Sequence, residues 1–141
     1  MGSTSFTLTP DHRRWAASAQ RKYGQGLEYW LSLIASQRGL CALSRAPLLF
    51  DAHAGTPVAG GDSQHPIYAV VDHCLPGSDE QGHQIVSNDL NDLKGHLPAA
   101  PFAALRRTRA WKDLMAAWRE QVLKDPNDRD AFRAIRRGTT S

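Results

Sequence analysis

The stretch from Val70 to Pro98, VVDHCLPGSDEQGHQIVSNDLNDLKGHLP, constrains this chain more than any other. It is entered through Ile67-Tyr68-Ala69-Val70-Val71, a β-branched and aromatic run that reads as a strand ending in Asp72-His73. A polar loop carrying Gly and Pro follows from Pro76 to Gly82, and His83-Gln84-Ile85-Val86-Ser87 reads as a second short strand. From Asn88 to His96, Leu90, Leu93 and Leu97 share one helical face, and Pro98 stops the helix. Strand, loop, strand and helix, with Asp-His at one end and Asn91 in the helix, describe a site as well as a fold element.

At 141 residues the chain holds one domain's worth of core. No apolar run approaches the roughly 18 residues of a membrane span. The N-terminal MGSTSFTLTPDHRR has no apolar signal core. Two cysteines, Cys41 and Cys74, make no disulfide framework, so the expectation is a cytoplasmic protein without a membrane partner. Charge is unevenly spread. Residues 1–40 carry five Lys/Arg against two Asp/Glu, residues 41–100 two against seven, and residues 101–141 ten against five. An acidic centre between basic arms suits a cation site flanked by phosphate-gripping surfaces, although helical surfaces also use arginine freely.

Outside the central stretch the chain reads as helical. Thr9-Pro10-Asp11 starts a helix that runs to about Lys22, with Trp15, Ala19 and Tyr23 on one face. A second runs from Leu27 to about Gln37, burying Leu27, Trp30, Leu31 and Ile34 and ending at Gly39. Residues 45–66 are rich in Pro, Gly and Asp; Pro47 to Phe50 reads as a short strand and the rest as a long loop. After Pro98 come a short helix from Pro101 to about Arg107, a long one from Thr108 to about Lys124, and a last one from Asp128 to Arg137. The basic side chains Arg106, Arg107, Arg133 and Arg137 of this region are the candidate phosphate contacts.

Asp72-His73 followed by Asn91-Asp92-Leu93-Lys94-Gly95 resembles the ββα-metal finger of the HNH and His-Me finger endonucleases, most nearly the recombination endonuclease VII-like subtype. The resemblance covers about 30 residues firmly, and about 60 if extended back to Cys41. It implies an α+β fold: a short hairpin and helix embedded in a mainly helical single domain over 1–141. On this reading residues 1–40 form N-terminal helices, 41–98 the finger and 99–141 basic C-terminal helices. Many members carry a zinc knuckle in which two Cys-x-x-Cys pairs flank the finger. Here those positions read Cys41-x-x-Ser44 and Ser87-x-x-Leu90, so one ligand of four remains and no structural zinc is expected.

Carried onto these positions, the resemblance implies a metal-dependent DNA endonuclease. His73 is the general base that activates water. Asp72 and Asn91 offer oxygens to a divalent ion, Mg2+ or Mn2+, which neutralises charge at the scissile phosphate. Lys94, one helical turn past Asn91, contacts phosphate, and His83 either touches phosphate or orients His73. A second register stays open, in which Asn88 is the key asparagine and His96 the last position. The expected partner is DNA, whether duplex, branched or single-stranded, met by a monomer or homodimer, and such proteins often belong to phage or mobile elements. Two other functions compete: a nucleic-acid-binding protein on a degenerate finger that no longer cuts, and a small helical interaction protein with a coincidental motif.

Overall fold

The computed structural model describes residues 6–56, 64–75, 78–95 and 97–138. Its first helix, α1 (Pro10–Tyr23), starts where the sequence says it should. The Thr9 hydroxyl accepts from the His12 amide, and His12 Nδ1 accepts from the Thr9 amide at 2.9 Å, so a histidine closes a reciprocal cap usually closed by Glu or Gln. Gly24, at φ +80°, takes a backbone conformation that ends the helix and that a side chain would resist. α2 (Leu27–Gln37) follows at once. Trp15, Ala16 and Ala19 of α1 and Trp30, Leu31 and Ile34 of α2 enter the common core, and the Trp15 and Trp30 rings meet nearly edge to face.

The hairpin pairs β1 (Ala69–Leu75) with β2 (Ser78–Ser87), antiparallel, in the register Ala69–Ser87, Val71–Ile85 and His73–His83, shifting between His73 and Leu75. β2 therefore reaches well into the expected Pro76–Gly82 loop. Its first half, Ser78-Asp79-Glu80-Gln81, is polar throughout and carries no apolar alternation to betray a strand. Pro47 to Phe50, expected as a strand, makes only isolated bridges: Leu40 with Pro47 and Leu49 with Tyr68.

Both edges of the hairpin are tied to the helices. Trp15 Nε1 donates to the Ala69 carbonyl at 2.9 Å. On the other strand, Gln37 of α2 donates to the Ile85 carbonyl and accepts from the Ile85 amide, and the Ala42 amide donates to the same carbonyl. These bonds satisfy edge groups that would otherwise stay open.

α3 (Asn88–Lys94) begins without a break after β2 and packs on both strands. Its first amides find partners in the segment leading into β1: Asn88 N–H donates to Tyr68 O at 2.9 Å and Asp89 N–H to Pro66 O at 3.0 Å. That answers the helix's need for acceptors at its start, since Ser87 makes no side-chain cap. α3 ends at Gly95, φ +61°.

Three further helices complete the α+β domain: α4 (Ala99–Arg106), α5 (Arg109–Lys124) and α6 (Arg129–Gly138). α5 buries Trp111, Leu114, Met115, Trp118 and Val122 on one stripe, and the Phe132 ring of α6 packs tilted against Trp118 with ring centroids 4.6 Å apart. Arg119 of α5 donates to the Ser44 carbonyl, joining the C-terminal helices to the turn after α2. Among the described residues no helix is long and apolar enough to cross a membrane.

Candidate active site at the hairpin–helix junction

Asp72 sits on β1 opposite Gln84 of β2, on the side of the hairpin where α3 packs. Only 8% of it is exposed. Its carboxylate accepts from Gln84 Nε2 at 2.8 Å, and the Lys94 ammonium approaches both oxygens, at 3.1 Å and 3.3 Å. Lys94 itself is 5% exposed. The Phe102 ring of α4 covers the ammonium at 5.3 Å, and the Arg106 guanidinium stands 5.6 Å from the same ring. A buried carboxylate thus has one cation in contact and a second one ring away. Burying two charges costs more than their attraction returns unless further hydrogen bonds complete the pair, and Gln84 provides one.

Asn91 lies one turn before Lys94 on the same flank of α3 and is half-buried. Asn88, the alternative key asparagine, is also half-buried, and its backbone N–H donates at the helix start; His96, its companion, lies outside the described residues. His73 follows Asp72 on β1 and pairs with His83 at the last regular rung before the register shift. The side chain of His73 lies outside the described residues.

His83 is 6% exposed and is held by α1 and α2. The Tyr29 hydroxyl and His83 Nδ1 are hydrogen-bonded at 2.9 Å, and the rings of Tyr23, Tyr29 and Trp30 surround the imidazole, Trp30 at 5.0 Å between centroids. Gln84, Tyr29 and Phe102 are the members of this neighbourhood that the sequence reading missed. The cross-strand position of Gln84 follows from the hairpin register, but the polar half of β2 hid that register.

The arginines divide. Arg106 and Arg107 are exposed at the end of α4, Arg106 on the Asp72–Lys94 side through Phe102. Arg133 and Arg137 instead line a cavity of about 170 Å³ on the opposite flank of α3, with Gln64, Asp89, Asp92 and Arg136. There Arg136 reaches Asp92 at 3.7 Å and Arg133 reaches Asp130 at 3.4 Å. Asp92 of α3 and Asp130 of α6 itself therefore offset part of that basic face.

Burial pushes the Asp89 carboxyl above its ordinary range, against the opposing pull of Arg136 and, more weakly, Arg133 and Arg129. A carboxyl that keeps its proton longer in the fold than in the unfolded chain stabilises the fold at low pH and loses that contribution as pH rises through its raised titration. Asp89→Asn is therefore expected to melt a few degrees above wild type at pH 7 and level with it at pH 3. Thermal unfolding followed across that range checks this.

Beneath the junction, the positions aligned with knuckle ligands converge. Cys41 Sγ accepts amide hydrogen bonds from Leu43 at 3.3 Å, Ser44 at 3.5 Å and Ser87 at 3.3 Å. Ser44, Ser87 and Leu90 are wholly buried. The Ser87 hydroxyl has no hydrogen-bond partner among the described residues. Those residues also contain no group of three or more His, Cys, Asp or Glu arranged to hold a metal ion. No protein-family model, no curated protein and no solved structure matches the chain.

Proposed function

We propose that this chain is an HNH-like endonuclease that hydrolyses DNA phosphodiester bonds with the β1–β2–α3 unit. The observation that carries the reading is the junction itself: a buried carboxylate from Asp72 within β1, paired with Lys94 of the next helix, which also bears Asn91. A buried ion pair contributes little net stability of its own, which leaves room for a functional role for this one. The convergence of Cys41, Ser44 and Ser87 supports the same reading from a different part of the chain, because two separated segments meet where the finger's knuckle would be.

In this reading His73 accepts the proton of an attacking water, and Asp72 and Asn91 are the oxygen donors for a divalent ion. One carboxylate and one amide oxygen, with water and phosphate making up the rest, suit magnesium and manganese. When bound, that ion supplies positive charge at the scissile phosphate and the leaving oxygen. Arg106 and Arg107 hold the phosphates on the near side, and Lys94 has the reach to join them. Arg133 and Arg137, turned toward α3's acids, serve a more distant stretch of backbone.

The test is cleavage of supercoiled, linear, single-stranded and branched DNA in magnesium, manganese or EDTA. Cutting that needs the metal and shows one preferred substrate is the expected result. One observation favours the non-cutting alternative: the Asp72 carboxylate already has a cation at 3.1 Å. Salt-sensitive DNA binding with no cleavage of any substrate would make that the function instead.

A further inference from the structure

We propose that Lys94 is an internal counter-ion that competes with the divalent ion for Asp72, so that the resting protein binds the ion weakly. This rests on the metal-dependent reading of the junction and says how the site is kept when no substrate is present. A lysine in the last turn of a short helix ordinarily sends its ammonium to water along a flexible stem. Lys94 does the opposite. It turns inward under Phe102 until only 5% of it is exposed, and its Nζ addresses both oxygens of one carboxylate almost equally, at 3.1 Å and 3.3 Å.

The ammonium thus occupies the Asp72 carboxylate from the helix that also carries Asn91, so a cation bound to Asp72 would have to share that carboxylate with it. An ion within coordination distance of Asp72, about 2.1 Å for magnesium, would lie only a few ångströms from Nζ. Like charges that close, away from water, repel strongly, so one cation must leave for the other to enter. Lys94 has somewhere to go. The Arg106 guanidinium contacts the same Phe102 ring, 5.6 Å from its centroid, and a phosphate drawn to that guanidinium would also attract the ammonium away from Asp72. Loading of the ion would then be coupled to arrival of the nucleic acid.

Binding of Mn2+ to the whole chain without DNA tests this, read by the electron paramagnetic resonance of free Mn2+ and by the shift in melting temperature. Lys94→Met is expected to bind Mn2+ about 10–100-fold more tightly than wild type. Lys94→Arg, which keeps the positive charge, is expected to bind as weakly as wild type, and Asp72→Asn combined with Lys94→Met to lose the gain. A merely structural lysine would leave Mn2+ affinity unmoved or lowered in Lys94→Met. Lys94→Gln, which retains a donor to Asp72, serves as a second neutral variant if the methionine protein is unfolded without metal.

Equal Mn2+ affinity in wild type and both neutral variants, lost on Asp72→Asn, would overturn the competition and leave Asp72 as a metal ligand. A gain that survives Asp72→Asn would overturn the proposal by putting the ion elsewhere. No Mn2+ binding by any folded variant would overturn both the competition and the metal-dependent reading.

Discussion

Replacing His73 with alanine is expected to lower DNA cleavage by about 10²–10⁴-fold while the protein still folds and still binds DNA. A general base contributes on that scale because water is a poor nucleophile until a neighbouring group takes its proton in the transition state. The backbone of His73 is already paired with His83, so alanine leaves the rung of the ladder in place. Rescue separates loss of a base from loss of structure: added imidazole should restore part of the rate in His73→Ala. Unchanged cleavage in His73→Ala would remove His73 from the chemistry.

The second large effect is on stability. Lys94→Met leaves the Asp72 charge buried without its cation, and Asp72→Leu leaves the ammonium likewise stranded. Each single change is expected to cost about 3–5 kcal/mol, the usual penalty for an uncompensated buried charge. In a domain of this size that corresponds to a fall of roughly 10–15 °C in melting temperature. The double change Asp72→Leu with Lys94→Met is expected to recover most of the loss, because it strands no charge. Urea unfolding of the four proteins closes the cycle. Additive losses in the double mutant would mean that the two groups do not depend on each other, contrary to their 3.1 Å separation.

α1, α5 and α6 were legible because their ends carry residues whose local chemistry acts alone: Thr9-Pro10 and Gly24 around α1, Thr108 before α5, and Asp128 accepting from the Ala131 amide before α6. β1 was legible from its apolar run. The polar half of β2 was not, since its pairing comes from hairpin register rather than from a buried face. Of the candidate site, Asp72, His73, Asn91 and Lys94 were legible as a spaced set, but the partnership of Asp72 with Lys94 was not. A lysine reads as a surface residue in any local window. Its burial here depends on Phe102, which arrives from another helix, and on Gln84, which faces Asp72 only once the strands are in register.

The bonds from Asn88 to Tyr68 and from Asp89 to Pro66 bear on how the junction comes into being. A helix of seven residues does not persist alone in water, because its nucleation outweighs the few bonds it gains. α3 is therefore helical only while the segment entering β1 accepts its first amides and the hairpin supports its inner face. Asp72 rides on that hairpin, and Asn91 and Lys94 on that helix. Fraying of the hairpin therefore releases α3 and parts Asn91 and Lys94 from Asp72, whereas the hairpin keeps its own ties to α1 and α2 when α3 frays.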